Sequence, residues 1–137
     1  MRRQNRYNYQ MAVEGSNKIN NFYGLDAWKV SHSLVLETYK ATETFPTKET
    51  YSLIDQMRRA SSSITANIAE GFGRFYYKDK QRFYFQARGS VIELQNFFIL
   101  GKDLGYIKSD DFENLFALSE RSTMLINGLI RSIEKKK

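Results

Sequence analysis

Residues 56–90 concentrate the side chains of this chain that could bind a polyanion. They hold seven arginines and lysines against two acidic residues, a net charge of +5 in a chain whose net charge is +6. Aromatic side chains are interleaved with these cations between Phe72 and Phe85. Because cations neutralise phosphates and aromatic faces stack on bases, this combination favours nucleic-acid binding. The candidate phosphate-binding residues are Arg58, Arg59, Arg74, Lys78, Lys80 and Arg82.

A second group of polar residues is a candidate internal cluster. Asn67 and Glu70 lie in the last part of one predicted helix, and Arg88 and Glu93 lie in the next. A short connection would place the two groups side by side. Carboxylates and guanidinium groups would then satisfy each other and fix the helix register or a subunit contact. Direct contact with a ligand is the alternative for these four residues.

The sequence lacks the groups that most catalytic and metal sites require. It has no cysteine and one histidine, His32, and no Glu-x-x-His, which excludes the di-iron site of ferritin-like bundles. The stretch Gly71–Gly73 lacks the third glycine of a dinucleotide loop, because Tyr76 stands there. The serines at 61–63 have no lysine or histidine arrangement that would activate a hydroxyl. We therefore expect no enzymatic activity, no cofactor and no metal.

The elements that position these residues are predicted to be four amphipathic helices. Apolar and small residues recur at steps of three and four, and the connections are short, which predicts an all-α, antiparallel up-down-up-down four-helix bundle. The bundle is expected over residues 25–134, between a flexible basic arm of residues 1–24 and a basic tail of residues 135–137. The predicted helices run from Leu25 to near Pro46, from a cap at Thr50 to Gly71 or Gly73, from near Tyr77 to Gly105, and from Ser109 or Asp110 to near Ile133.

Each predicted helix has one stripe that should face the core. The stripes are Leu25, Trp28, His32, Val35 and Tyr39; then Leu53 or Ile54, Met57, Ser61, Ile64 and Ile68; then Tyr84, Ala87, Val91, Leu94, Phe98 and Gly101; and finally Phe112, Leu115, Ser119, Ser122, Ile126, Leu129 and Ile133.

Eight apolar residues fall outside these stripes. Surplus apolar surface on a small bundle indicates a partner, and a second copy of the chain is the commonest one, so we expect a homo-oligomer. The eight residues are Leu34, Leu36, Phe83, Phe85, Phe97, Phe116, Leu118 and Ile130.

Export and membrane signals are absent from the pattern. The basic start at residues 1–6 is followed by no apolar run of the length that a signal peptide has. No apolar cluster approaches the ~20 residues that a membrane helix needs. The lack of cysteine is compatible with a reducing compartment. We therefore expect a cytoplasmic protein that does not contact a membrane.

Several of these segments resemble the four-helix-bundle proteins encoded within 23S rRNA intervening sequences. The resemblance covers nearly everything from residue 22 onward and is most specific over Ser63–Gly71. The family usually has proline where Thr65 stands, so we expect a less kinked helix here, because threonine keeps the backbone N–H that proline lacks. Other segments that carry the resemblance are Leu25–Val30, Tyr39 with Phe45-Pro46, Met57–Ala60, Gly73-Arg74, Ala87–Ser90 with Glu93, Leu104–Tyr106 and Leu125–Ile133.

The resemblance implies a homopentameric ring of four-helix bundles. The family is also similar to the accessory variability proteins of diversity-generating retroelements, basic pentameric barrels that bind nucleic acid and a reverse transcriptase. The expected function is thus that of a non-enzymatic oligomer that binds RNA or DNA, as an accessory subunit of a ribonucleoprotein or of a reverse transcriptase. The alternative is a protein interaction scaffold with no direct nucleic-acid role.

Overall fold

Four α-helices make up most of the chain in the computed structural model, which describes residues 19–136. No strand occurs in that part of the chain, so the prediction of an all-α protein with four helices is confirmed. The first 18 residues of the predicted arm and residue 137 lie outside the described residues. The helices are α1 (Asp26–Thr42), α2 (Leu53–Gly73), α3 (Tyr77–Asp103) and α4 (Ser109–Glu134), with short 3-10 helices at Phe22–Gly24 and Thr47–Glu49.

The inward stripes of α2 and α3 are those that the spacing predicts. Met57, Ile64 and Ile68 of α2 are fully buried, and every predicted core position of α3 is buried. In α4 the prediction holds from Leu115 to Ile133, except that Ile130 is buried where Leu129 was expected. Ile130 was wrongly predicted to lie outside the core.

The predicted stripe of α1 is wrong. The buried residues are instead Ala27, Ser31, Leu34, Thr38 and Thr42, so that Leu34 lies in the core and not on a flank. The predicted stripe lies one residue away, on the neighbouring face of α1. The rings of Trp28, His32 and Tyr39 on that face remain partly exposed to solvent.

Buried hydroxyl groups are tolerated in the core face of α1 because each has a hydrogen-bond partner, either in the backbone of α1 itself or in α4. The hydroxyls of Thr38 and Thr42 donate to the carbonyls of Leu34 and Thr38, at 2.8 and 2.9 Å. The hydroxyls of Ser31 and Ser122 lie 2.7 Å apart across the α1–α4 contact. A buried hydroxyl that is hydrogen-bonded carries little penalty, and its small size lets two helices approach closely.

The connections differ in detail from the predicted caps. Thr50 does not cap α2, because it ends the 3-10 helix Thr47–Glu49 and α2 begins only at Leu53. The hydroxyl of Thr50 donates to Thr47 O instead, at 2.7 Å. Helix α4 begins at Ser109, but no side chain caps it. The α3–α4 turn needs a glycine at 105, whose φ of +82° lies in the left-handed region.

A hydrogen bond joins this turn to the α1–α2 connection. The hydroxyl of Tyr106 donates to Oε2 of Glu49 at 2.9 Å. Hydrogen bonds from Ser52 and Tyr106 lower the pKa of the Glu49 carboxyl, and the same contact with Glu49 raises the pKa of Tyr106. These opposite shifts mean that the neutral tyrosine and the ionised carboxylate are the forms that hold the two connections together.

The arm predicted over residues 1–24 is structured at its end. Residues 22–24 form a 3-10 helix, and the ring of Phe22 meets Trp28 edge-on at 5.6 Å. Among residues 19–136 no helix is both long enough and apolar enough to cross a membrane.

Candidate nucleic-acid interface

The ends of three helices meet around the α2–α3 turn. The ammonium of Lys80, near the start of α3, donates to the carbonyls of Phe72 at 2.7 Å and Gly71 at 3.4 Å, in the last turn of α2. The amide of Gln81 donates to Glu134 at the end of α4, at 3.5 Å. The end of α2, the start of α3 and the end of α4 therefore form one surface.

Lys80 acts as a cap for α2 within this surface. The last carbonyls of a helix have no partner inside the helix and carry partial negative charge, so a lysine there is stabilising. Burial, and after it the charge of Lys136, lowers the pKa of the Lys80 ammonium. Lys80 was predicted to bind phosphate, but the structure assigns its ammonium to two backbone carbonyls. Because the charge of Lys136 contributes to the lowered pKa of Lys80, Lys136 lies near Lys80 on this surface.

Two predicted arginines share one aromatic ring beside this cap. The guanidinium groups of Arg74 and Arg82 lie 4.7 and 4.6 Å from the ring centroid of Phe83. Arg74 also pairs with Glu70 at 2.8 Å. Cation–π contacts of this kind hold the guanidinium groups in place, and both arginines remain exposed to solvent. Lys78 is exposed and makes no ion pair within the described residues.

The predicted set is not one patch, because Arg58 and Arg59 lie elsewhere. Sixteen residues of α2 separate Arg58 from Arg74, roughly 24 Å along the helix axis. Arg58 also has a structural role: its Nε donates to the hydroxyl of Thr42 at 2.9 Å and its Nη2 to Tyr39 O at 3.3 Å, at the end of α1. Arg59 pairs with Asp55 at 3.0 Å. Both arginines therefore lie apart from the α2–α3 turn, and phosphate binding by them stays a prediction.

The predicted cluster of Asn67, Glu70, Arg88 and Glu93 does not form within the chain. Glu70 pairs with Arg74 of its own helix, and Arg88 donates to Oδ1 of Asn127 in α4 at 2.7 Å. The rotation of α3 turns Arg88 toward α4, away from Asn67 and Glu70. Glu93 is exposed and makes no hydrogen bond or ion pair in the part of the chain that the structure describes.

Near Asn67, the polar contact between α2 and α3 is a hydrogen bond between two serines. The amide of Asn67 donates to the carbonyl and the hydroxyl of Ser63, at 2.9 and 3.1 Å. The hydroxyl of Ser90 donates to that of Ser63 at 3.0 Å. Near Asn67, α2 and α3 are therefore linked by this small hydroxyl contact and not by an ionic cluster.

Five exposed cations remain on the surface around the α2–α3 turn. Two of them, Lys135 and Lys136, follow α4 directly and were predicted only as part of a tail. Nothing in the sequence pattern showed that Lys136 would lie near Lys80 at the start of α3, since that depends on how the helices pack. We call this surface the basic end; its cations are Arg74, Lys78, Arg82, Lys135 and Lys136.

A different surface of α3 is apolar. Phe85, Ile92 and Ile99 follow each other at intervals of seven residues and are all exposed. Between them lies Gly89, where an added Cβ would meet no atom within 4 Å. We call Phe85, Ile92 and Ile99 the α3 ridge. Of the eight surplus apolar residues predicted from the sequence, Leu36 and Phe85 are exposed.

No predicted site residue lines the groove between the end of α1 and the start of α4. This groove has a volume of about 890 Å³ and an apolar floor that includes Ala41 and Leu118, with Glu37, Lys40 and Arg121 among its charged residues. Among the described residues, no group of three or more histidine, aspartate or glutamate side chains is placed to hold a metal ion.

Comparison with known families gives one match. Residues 24–128 match the model of a family described as 23S rRNA-intervening sequence protein. The matched stretch begins just before α1 and ends within α4, so it includes nearly all of the four helices. No curated protein matches the chain.

Proposed function

Since this chain belongs to the family of 23S rRNA-intervening sequence proteins, we propose that it is a non-enzymatic, oligomeric protein whose basic end binds nucleic acid. The family name relates these proteins to ribosomal RNA. The observation that carries the proposal is the gathering of five exposed cations from three helix ends onto one surface. In this role the protein would serve as an accessory subunit of a ribonucleoprotein or of a retroelement reverse transcriptase.

The charge balance of this surface supports a polyanion as its ligand. Besides its five cations, the basic end has Lys80 and Arg131 nearby, and three acidic residues, Glu70, Asp79 and Glu134. Seven positive and three negative side chains leave a net charge of +4 on the ends of three helices. A field of this sign attracts phosphates over distances of about 10 Å at moderate salt and steers their approach.

Binding to single-stranded nucleic acid is expected to weaken steeply with salt. If the five cations each neutralise one phosphate, the slope of log affinity against log salt concentration should be near −3.5, so that a fourfold rise in salt weakens binding about a hundredfold. In the double variant Lys78→Ala with Arg82→Ala the slope should flatten to about −2.1, with all sequences weakened about equally. Fluorescence anisotropy titrations of a labelled oligonucleotide over a range of salt concentrations measure both slopes.

The matched control removes the same charge from the opposite end of α2. Lys40→Ala with Arg59→Ala takes two exposed cations from around the α1–α2 connection, so the slope should stay that of the parent. Equal slopes for the two double variants would mean that only net charge matters and that the basic end is not the binding surface. A parent that binds neither RNA nor DNA at low salt contradicts the proposed function as a whole.

The α3 ridge supports a second candidate function, that of a protein interaction scaffold. An exposed apolar stripe with a seven-residue repeat suits packing against another helix, and glycine in a helix interior is unfavourable by about 1 kcal/mol unless something packs closely against it. We propose that the ridge joins copies of the chain and that the copies form a ring, most simply the pentamer that the family resemblance implies. The proposal includes antiparallel neighbouring helices, which the pairing of Gln81 with Glu134 and of Arg88 with Asn127 supports.

Ile92→Asp is expected to dissociate the oligomer and leave the bundle folded. Ile92 is 59% exposed, so the new carboxylate stays hydrated in the free subunit but would be buried and unpaired in a contact between copies. Leu36→Asp is the control, because Leu36 of α1 is similarly exposed, at 56%. Light scattering at micromolar concentration should find an oligomer for the parent and for Leu36→Asp and a monomer for Ile92→Asp. A monomeric parent would contradict self-association itself.

A further inference from the structure

The α2–α3 turn displays two aromatic rings to solvent. Phe75 is 84% exposed and Tyr76 is 67% exposed, and their rings meet edge-on with centroids 5.0 Å apart. Both residues lie between the end of α2 and the start of α3, next to Arg74 and Lys78 of the basic end. Covering an exposed phenyl ring removes apolar surface from water, so a pair of rings held in this position is suited to a ligand that covers it.

Other aromatic side chains of this region are more covered than these two, since the most exposed of them, Phe85 and Tyr77, are 41% and 40% exposed. Lys80 lies 5.3 Å from the ring centroid of Phe72, and two guanidinium groups flank the ring of Phe83. Tyr84 is buried against the end of α2, and burial raises the pKa of its hydroxyl to about 12. The two rings of the turn are thus the most exposed aromatic faces of the basic end.

From this arrangement we propose that Phe75 and Tyr76 stack on unpaired bases, so that the ligand of the basic end is a single-stranded nucleic acid. The inference rests on the proposed function and narrows it to one class of ligand. The cations beside the rings hold the phosphates, while the rings receive the planar bases that the same chain carries. In a duplex the base faces are covered by their neighbours, and reaching them requires the bases to be unstacked first, which is unfavourable.

An oligonucleotide without bases separates stacking from charge. A labelled single strand and a strand of the same length with abasic sites throughout present the same phosphates to the protein. The parent should bind the complete strand at least about tenfold more tightly, as one to two stacked bases would give. In the double variant Phe75→Ala with Tyr76→Ala this preference should fall to within about twofold, with the affinity for the abasic strand and the salt slope unchanged.

Two further variants control for shape and for general aromatic content. Phe75→Trp keeps an aromatic face at the turn and should retain the preference for the complete strand. Tyr51→Ala removes a ring that is 94% exposed, near the α1–α2 connection, and should bind both strands as the parent does. Circular dichroism of each variant establishes that the helices are intact.

The contrary outcomes are distinct. Equal binding of both strands by the parent overturns stacking and leaves polyanion binding in place, whereas no binding of either strand overturns the proposed function itself. Loss of both affinities in the double alanine variant would show that the turn only positions the cations, which contradicts stacking. Loss of self-association by that variant, with unchanged nucleic-acid binding, would assign the two rings to a protein contact.

Discussion

The variant Ile64→Asp is not expected to fold. Ile64 lies at the middle of α2 and is fully buried among the apolar side chains of the core. A carboxylate at this position has no cation within the core to pair with, and burying it unpaired, together with the loss of the isoleucine packing, destabilises by about 4 kcal/mol or more. That is most of the stability of a domain at the lower end of the usual range of about 5–15 kcal/mol. Circular dichroism should show loss of the helical signal at ambient temperature.

Ala66→Asp is the matched control for this substitution. Ala66 lies two residues further along α2 on its exposed face, so the same carboxylate would stay in water. Its free energy of unfolding should fall by no more than about 1 kcal/mol, most of it the lower helix propensity of aspartate. Equal stability of the two variants would show that the α2 core face is wrongly assigned.

Gly71→Val is expected to destabilise the bundle by about 3 kcal/mol. A Cβ at this position would lie 2.8 Å from Cε1 and 3.0 Å from Cδ1 of the buried Tyr84 ring, and 3.0 Å from Cβ of Phe83. Two of these atoms belong to a packed ring and the third lies next to the backbone of α3, so none can move aside easily. Helices α2 and α3 would therefore have to separate. Overpacking usually destabilises a protein by about 1–3 kcal/mol. We expect the upper end of that range because valine adds two methyl groups beyond its Cβ. Urea unfolding followed by circular dichroism measures the loss.

Gly73→Val tests whether the effect comes from contact or from the loss of a helical glycine. A Cβ at 73 would meet no atom within 4 Å, and the residue lies in the same last turn of α2. Its φ is not positive, because among the described glycines only Gly105 has a positive φ. The free energy of unfolding should therefore change by less than about 1 kcal/mol. If Gly73→Val were as destabilising as Gly71→Val, the close approach of α2 to Tyr84 would not be its cause.

Helix α3 could be predicted from its sequence because its core side chains are large, apolar and regularly spaced. Only one face of α3 can be assigned to the core from its sequence, the face that carries Tyr84, Val91, Leu94 and Phe98. Helix α1 offers two stripes one residue apart, and the rings of Trp28 and Tyr39 favour the outer one. The true stripe contains Ser31 and Thr38, whose polarity is hidden by hydrogen bonds to a facing serine and to the helix's own backbone. Composition therefore indicated the wrong face.

The positive charge of the candidate site could be predicted from the sequence, but the residues that form the site could not. The excess of cations in residues 56–90 is visible in the sequence, but whether a given arginine is free depends on contacts between helices. Arg58 meets Thr42 across the α1–α2 contact, and Arg88 meets Asn127 because of the rotation of α3. Lys136 joins the surface only through the packing of α4. Each of these contacts links residues that are far apart in the chain, where spacing along one helix carries no information.

The cap that Lys80 places on α2 also bears on the conformational entropy of binding. A flexible loop that carries two aromatic side chains would have to be ordered by its ligand, and fixing its backbone would subtract about 1–2 kcal/mol per residue from the affinity. Here the ammonium of Lys80 ties the start of α3 to the carbonyls of Gly71 and Phe72, so the turn between them is fixed before any ligand arrives. Phe75 and Tyr76 are thus presented by a rigid, three-residue turn, and that part of the ordering penalty is met when the chain folds.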